Sequence, residues 1–158
     1  MLVHCAAQRF PDKVDKDPEA ARALNVSAAR HLAKKAATQG VHMIYISTDY
    51  VFPGTRGDAP YETDAAPNPS NLYGQTKLDG ERAILEEYAK AGKHGSATVL
   101  RVPVLYGRAE TPSESAVNVL MDAVWKNQTE GIKCKMDHWS IRYPTNTEDV
   151  ARVCYGMC

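Results

Sequence analysis

The sequence predicts an α/β fold built on a doubly wound parallel sheet. Strand-like runs alternate with helix-like runs along the whole chain, and this alternation is typical of parallel βαβ units. With 158 residues, 44% of them hydrophobic and 24% charged, the chain is long enough to bury a core. It contains no internal repeat, low-complexity segment or linker, so we predict that residues 1–158 belong to one domain.

The first part of the chain predicts a strand, a helix and a second strand. Residues 2–6 form a short apolar run, and residues 41–47 are rich in β-forming side chains. Between them, Asp17 followed by Pro18 predicts a helix start, because aspartate caps helices and proline fits the first turn. Gly40 predicts the end of this helix. Its apolar stripe at helical spacing consists of Ala20, Leu24, Ala28 and Leu32.

The second part begins with a long loop and continues with alternating elements. Residues 51–72 contain four prolines and two glycines, and loops of this length inside a domain are often functional. A helix is predicted over residues 73–91 and a strand over residues 97–102. A further helix is predicted over residues 113–127. A capping-box pattern, Thr-x-x-Glu, predicts that a last helix begins at Thr145 and runs to the end of the chain.

Composition excludes several classes of function. Nineteen basic and nineteen acidic residues give a net charge of zero, which argues against nucleic acid as a partner. The longest apolar runs are too short to cross a bilayer, so we predict no membrane partner. No signal peptide precedes the first strand and no Cys-x-x-Cys pair occurs, which predicts a cytoplasmic protein. The spacing of four candidate ligands matches no zinc pattern, so no metal is predicted: His4, Cys5, Cys134 and His138.

Tyr73, Lys77 and Thr48 form the candidate catalytic group. Tyr73 and Lys77 are four residues apart, so they share one helix face, and the ammonium predicts a lowered pKa for the phenol. Ser47 and Thr48 end a predicted strand, at the edge where parallel sheets bind ligands. The Thr48 hydroxyl can hold a substrate carbonyl while Tyr73 supplies a proton. Such a pair also arises by chance on a solvated helix face, but its place beside a strand end favours a nicotinamide site.

The chain lacks the usual cradle for a dinucleotide. No Gly-x-Gly-x-x-Gly motif occurs in it, and this motif normally places backbone N–H groups at the pyrophosphate. Gly54 and Gly57 lie in a turn-rich loop and open no helix, so they predict a turn. We therefore expect this chain to bind NADP(H) weakly or not at all.

Three motifs resemble extended short-chain dehydrogenases/reductases of the dTDP-4-dehydrorhamnose reductase type, which have a Rossmann-like fold. They are TDYVF at residues 48–52, YETD at residues 61–64 and LYGQTKLDGE at residues 72–81. The resemblance implies that the N-terminal βαβαβ half, with its glycine-rich loop, is missing, and that residue 2 begins the fourth strand of the family. It thus implies a partial RmlD-like domain, truncated at both ends.

Three further stretches resemble a non-catalytic group in this family, the regulatory beta subunits of methionine adenosyltransferase II. They are VHCAA at residues 3–7, ESAV at residues 114–117 and MDHW at residues 136–139. Trp139 in the last stretch is either buried in a loop or part of a surface that contacts substrate or partner. The resemblance implies binding to the methionine adenosyltransferase catalytic subunit, modulation of S-adenosylmethionine synthesis, and NADP as ligand. The alternative is an NADPH-dependent reductase of a nucleotide-linked 4-keto sugar.

The resemblance also implies roles for individual residues. Thr48 would orient the keto oxygen, Tyr73 would donate the proton, and Lys77 would lower the pKa of the tyrosine and hold the ribose. Asn25 corresponds to the helix asparagine that supports the lysine through water. The backbone that lines the nicotinamide nucleotide corresponds to Ala6, Ala7, Val102, Pro103 and Val104.

Overall fold

The structure is a computed structural model of the chain, and it describes residues 1–136 and 138–157. Asp137, within the MDHW stretch, and Cys158, the predicted end of the last helix, lie outside the described residues. The chain divides into two compact units, Met1–Arg101 and Val102–Cys158. Both units contain helices and strands paired in parallel, so the predicted α/β class is confirmed.

A three-stranded sheet is the framework of the first unit. In sheet order, its strands are β1 (Leu2–His4), β2 (Met43–Thr48) and β3 (Ala97–Val102). Strand β1 pairs in parallel with β2, and His4 lies opposite Tyr45. Strand β2 is therefore the central strand of this sheet. Strand β1 ends two residues earlier than predicted, because beyond it the backbone of Gln8 pairs with the side chain of Asn25 instead of a strand.

Helical segments connect β1 to β2. They are α1 (Pro11–Lys16), α2 (Pro18–Arg22), a π-helix (Ala23–Ala28) and α3 (Ala29–Thr38). Asp17 caps α2 as predicted, since its Oδ1 atom accepts a hydrogen bond from the N–H of Ala20 at 3.0 Å. Gly40 follows α3 with a φ of 66°, the left-handed conformation in which glycine ends a helix. Helix α1 was not expected, because it is short and buries only Val14.

The predicted apolar stripe of these helices is wrong by one position. Leu24 and Leu32 are 39% and 38% exposed, and the residues that pack inward come one position after the predicted ones. They are Ala21, Asn25, Ala29 and Ala33. Small side chains occupy the buried face because helix α4 (Leu72–Lys90) packs directly on α3 and on the π-helix. Close helix packing therefore outweighs the hydrophobicity of the leucines at this contact.

Helix α4 is the element that carries the candidate site, and it agrees with the prediction. Asn71 caps its N-terminus, where the Oδ1 atom accepts a hydrogen bond from the N–H of Gly74 at 2.8 Å. A 3₁₀ turn (Asp49–Val51) follows β2, and an irregular loop then runs to the cap. The predicted turn at Gly54 and Gly57 is confirmed, since both glycines have a positive φ.

The second unit contains two short strands, β4 (Leu105–Tyr106) and β5 (Thr145–Asn146), and two helices, α5 (Val119–Glu130) and α6 (Thr147–Gly156). The predicted start of α5 is wrong, because residues 112–114 form only a 3₁₀ turn. The predicted capping box is also wrong. Thr145 pairs with Leu105 in the sheet, and its extended backbone moves the cap to Asn146, which binds the N–H of Glu148 at 2.8 Å.

Trp139, in the second unit, is 75% exposed, so of the two alternatives the buried tryptophan is wrong. Within the described part of the chain, no helix has the length and hydropathy needed to span a bilayer.

Candidate functional site

The carboxyl end of β2 places two hydroxyl groups at the edge of the sheet. Ser47 and Thr48 are 2% and 5% exposed. The Oγ1 atom of Thr48 accepts a hydrogen bond from the N–H of Tyr50 at 3.2 Å, which opens the 3₁₀ turn and fixes the threonine side chain. Because β1 runs parallel to β2, Ala6 and Ala7 leave the sheet at the same edge, in the loop after β1.

Tyr73 approaches this edge from the first turn of α4. Its phenol lies beside the Thr48 hydroxyl, and its ring meets the ring of Tyr50 edge-on, with centroids 5.8 Å apart. The next residue, Gly74, permits this approach, because a Cβ atom there would overlap the backbone carbonyl of Tyr50. The predicted juxtaposition of Thr48 and Tyr73 is therefore present.

Lys77 lies one helical turn after Tyr73 and is 2% exposed. Its Nζ atom donates a hydrogen bond to the carbonyl oxygen of Ile46 at 2.8 Å and lies 4.0 Å from the centroid of the Tyr45 ring. The ammonium is thus anchored to β2 rather than to the tyrosine phenol that shares its helix face.

The predicted lowering of the Tyr73 pKa is wrong. Burial raises the pKa of Tyr73, and the nearby hydroxyl of Thr48 opposes this rise only in part. Helical spacing places Lys77 on the same face as Tyr73, but the ammonium contacts Ile46 and Tyr45 on β2. Burial also lowers the pKa of Lys77 to about 8, while the carboxylate of Glu81 acts in the opposite direction.

Replacing Lys77 by methionine is expected to flatten the pH dependence of stability above about pH 8. The pKa of Lys77 is about 8 in the folded chain, against an ordinary value of 10.5. Between these values the unfolded chain binds more protons, so stability rises with pH by at most about 1.4 kcal/mol per pH unit. Methionine fills similar space and does not titrate. Urea unfolding at several pH values between about 7 and 9.5 measures the slope.

Lys90→Met is the matched control for this experiment, because Lys90 lies on the same helix with its side chain 59% exposed. The control variant should keep the wild-type slope over this pH range. A Lys77→Met variant with the same slope as the wild-type chain would contradict the assignment of this titration to Lys77.

Asn25 connects the loop after β1 to helix α4. Its Oδ1 atom accepts a hydrogen bond from the N–H of Gln8 at 2.8 Å, and its Nδ2 atom donates to the carbonyl of Gln8 at 3.1 Å and to Thr76 Oγ1 at 3.0 Å. Thr76 in turn donates to the carbonyl of Tyr73. The side chain of Asn25 therefore positions the backbone around the site, and its water-mediated support of Lys77 stays a prediction.

Glu81, Arg101 and Ser47 form a buried ionic cluster next to the site, and this cluster was not predicted. Glu81 is 3% exposed and accepts hydrogen bonds from Arg101 Nε at 3.1 Å, Arg101 Nη2 at 2.7 Å and Ser47 Oγ at 2.5 Å. Arg101 also lies over the Phe52 ring, 5.0 Å from its centroid. The sequence feature that could have indicated a buried Glu81 is its position four residues after Lys77, which places both residues on one face of α4.

The remaining predicted nucleotide contacts belong to the second unit. Val102, Pro103 and Val104 follow the end of the first unit at Arg101. Their place beside a nucleotide stays a prediction.

In the first unit, the geometry brings together a hydroxyl, a phenol and an ammonium at one strand end. The hydroxyl and phenol can hold a carbonyl oxygen, and the phenol can give it a proton. One N–H of the Lys77 ammonium is used by Ile46, and an ammonium has three such donors. The arrangement can therefore also bind hydroxyl groups of a ribose.

Comparisons with known proteins are consistent with this geometry. The chain matches the family described as RmlD substrate binding domain over residues 1–158. Methionine adenosyltransferase 2 subunit beta of Xenopus tropicalis is 52% identical over 157 residues, which cover 99% of this chain and 44% of that protein. dTDP-4-dehydrorhamnose reductase of Salmonella typhimurium is 38% identical over 114 residues, which cover 65% of this chain and 38% of that protein.

A solved structure shows a similar fold. The dTDP-4-dehydrorhamnose reductase of Bacillus anthracis in complex with NADP superposes with a TM-score of 0.75 at 25% identity, covering 99% of this chain and 51% of that one. The chain thus spans about half the length of this protein, and 44% of the frog subunit.

Proposed function

We propose a function on the premise that the chain belongs to the RmlD substrate binding domain family of extended short-chain dehydrogenases/reductases. Within this family it acts as a non-catalytic regulatory subunit. It binds the catalytic subunit of methionine adenosyltransferase, modulates S-adenosylmethionine synthesis and takes NADP as ligand. The observation that carries the proposal is 52% identity over 157 residues to a protein named methionine adenosyltransferase 2 subunit beta.

The residues of the first unit fit NADP as the ligand. The Lys77 ammonium has N–H donors beyond the one that Ile46 accepts, and Tyr73 and Thr48 lie at the same strand end. A nicotinamide there would supply hydride when the cofactor is reduced. Lys77 would bind ribose hydroxyls, and the loop of Ala6 and Ala7 would lie against the ring.

The second candidate function is reduction of a nucleotide-linked 4-keto sugar. The proximity of Thr48 and Tyr73 favours it, because this is the pair that would orient a keto oxygen and protonate it. Identity of 38% to the Salmonella reductase supports the same candidate over a shorter part of the chain. The greater identity and coverage of the subunit beta match favour the regulatory role.

The chain is expected to form a complex with the methionine adenosyltransferase catalytic subunit that depends on Trp139. This tryptophan is 75% exposed, lies in the MDHW stretch and belongs to the residue type most enriched among interface hot spots. Trp139→Ala should weaken binding by about 2 kcal/mol or more. Isothermal titration calorimetry of the two purified proteins measures the affinity, and the rate of S-adenosylmethionine formation measures regulation.

Trp125→Ala is the matched control, since Trp125 is 66% exposed in the same unit but lies outside the MDHW stretch. It should retain wild-type affinity. Equal affinities of the Trp139 variant and the wild-type chain would remove Trp139 from the interface. Absence of any complex with the wild-type chain would contradict the proposed function.

A further inference from the structure

Helix α4 places the Lys77 ammonium in a buried setting made chiefly by one aromatic ring. The Nζ atom lies 4.0 Å from the centroid of the Tyr45 ring, and the carbonyl oxygen of Ile46 is its one hydrogen-bond acceptor among the described residues. Tyr45 is fully buried and Lys77 is 2% exposed. A cation over an aromatic face is attracted most strongly where water is excluded.

The nearest carboxylate does not take over this role. Glu81 is already bound by two nitrogen atoms of Arg101 and by the hydroxyl of Ser47. Its charge reaches Lys77 only as a longer-range attraction, which opposes the effect of burial on the pKa of the lysine. The ring and one carbonyl are therefore the direct contacts that hold the ammonium.

The ring of Tyr45 is itself held in place from β1. His4 lies beside it, with centroids 5.5 Å apart and planes 30° from parallel. Burial lowers the pKa of His4, and the charge of Lys77 lowers it further, so the imidazole stays neutral. The Tyr45 hydroxyl and His4 Nε2 have no hydrogen-bond partner among the described residues. The tyrosine thus contributes its ring to the site, while its hydroxyl lies close to Gly80 without a hydrogen bond to any described residue.

We propose that Tyr45 is a positioning residue that fixes the Lys77 ammonium at the carboxyl end of β2 through the face of its ring. This role rests on the proposed nicotinamide nucleotide site, because the ammonium so fixed would use its remaining N–H donors to bind the ribose. A substitution that withdraws electron density from the face of the ring and retains its shape should weaken the hold on the ammonium. Nucleotide binding should then weaken as well.

Charged and titratable groups near Lys77 lie on or next to strands β1, β2 and β3 and on α4 itself. His4 and Cys5 lie on or next to β1, and Tyr45 lies on β2. The remaining groups are Tyr73 and Glu81 on α4 and Arg101 on β3. Of these, the imidazole of His4 is uncharged, and the charge of Glu81 is shared with Arg101. We therefore expect the Tyr45 ring to contribute a measurable part of the free energy that stabilises the charged form of Lys77.

The test compares Tyr45→Phe with Tyr45→pentafluorophenylalanine. Both variants keep the buried ring and its approximate shape, and both remove the unpartnered hydroxyl, so both should fold. Only the fluorinated ring loses its attraction for a cation. NMR of the Lys77 Cε–H signals against pH gives the midpoint of the lysine's titration directly.

Tyr45→Phe should keep the wild-type midpoint, and the fluorinated variant should titrate about half a pH unit lower or more. A fluorinated variant with an unchanged midpoint would overturn the proposal. Equal shifts in both variants would also overturn it, because they would assign the effect to the hydroxyl.

NADPH titrations followed by the same signals detect binding even in the millimolar range. The fluorinated variant should bind at least about twofold more weakly than Tyr45→Phe. If the wild-type chain shows no NADPH binding at all, the proposed ligand is wrong, while the midpoint comparison still decides the role of Tyr45. A shifted midpoint with equal NADPH affinities would overturn the link between Tyr45 and nucleotide binding.

Discussion

Glu81→Ala is expected to lower the free energy of unfolding by about 3–5 kcal/mol, because it removes one partner of a buried ion pair. The carboxylate is 3% exposed and binds Arg101 through two nitrogen atoms, the closer at 2.7 Å. Without it, the guanidinium retains its charge in a half-buried place and Ser47 loses its acceptor. Urea unfolding monitored by circular dichroism measures the loss.

Glu86→Ala is the matched control on the same helix. Glu86 also pairs with basic side chains, Arg30 at 2.8 Å and Lys90 at 2.9 Å, but its side chain is 49% exposed. Surface pairs of this kind contribute little, so the control should unfold nearly as the wild-type chain does. Similar losses in the two variants would contradict a special role for the buried cluster.

A double replacement distinguishes the effect of an unpaired buried charge from the effect of lost packing. Glu81→Leu combined with Arg101→Met removes both charges, and apolar groups of similar volume often replace buried pairs at little cost. The double variant should therefore be more stable than Glu81→Ala alone. If both are equally destabilised, the loss comes from packing and not from an unpaired guanidinium.

The elements that the sequence predicted best are those with strong local signals. Strand β3 has the predicted bounds, and α4 differs from its prediction by one residue at each end. β-branched residues predict the bounds of β3. A long helical pattern between a proline-bearing loop and Gly92 predicts the bounds of α4. The juxtaposition of Thr48 and Tyr73 was also predictable, since parallel strand ends and the following helix meet at one edge.

The features that were missed depend on contacts between distant residues. Hydrophobicity did not predict the buried face of the π-helix and α3, because α4 approaches these helices too closely for a leucine side chain to fit. A Cβ atom at Gly80 would lie 2.5 Å from the carbonyl oxygen of Asn25 and 2.6 Å from the Tyr45 hydroxyl. Only the folded chain reveals how near these helices come.

The prediction about the Tyr73 pKa failed for a similar reason. Helical spacing places Lys77 one turn away, but spacing contains no information on burial or on the acceptor at Ile46. Burial acts on the phenol more strongly than any neighbouring charge. The cluster of Glu81 and Arg101 joins residues twenty positions apart in the chain, so helical spacing places Glu81 on the face of Lys77 but does not indicate Arg101 as its partner.

Tyr73→Phe is expected to separate the two candidate functions. A regulatory subunit does not use the phenol's proton in turnover. The variant should therefore alter the rate of S-adenosylmethionine synthesis by the catalytic subunit to the same extent as the wild-type chain. A reductase that loses its proton donor should lose on the order of 10²–10⁴-fold in rate. Both assays are run on the same preparations, with NADPH consumption as the readout for a nucleotide-linked 4-keto sugar.

The substitution is structurally mild, which makes the comparison informative. Phenylalanine retains the edge-on contact with Tyr50 and loses only the polar contact of the hydroxyl with Thr48, a cost of at most about 1 kcal/mol. Tyr88→Phe is the matched control, because Tyr88 is a buried phenol on the same helix that donates to the carbonyl of Val41 at 2.5 Å, away from the strand end. A wild-type chain that reduces the keto sugar, together with a Tyr73→Phe variant that does not and an active Tyr88→Phe variant, would establish the reductase function. Regulation retained by all three proteins, with no reduction by any of them, would support the regulatory one.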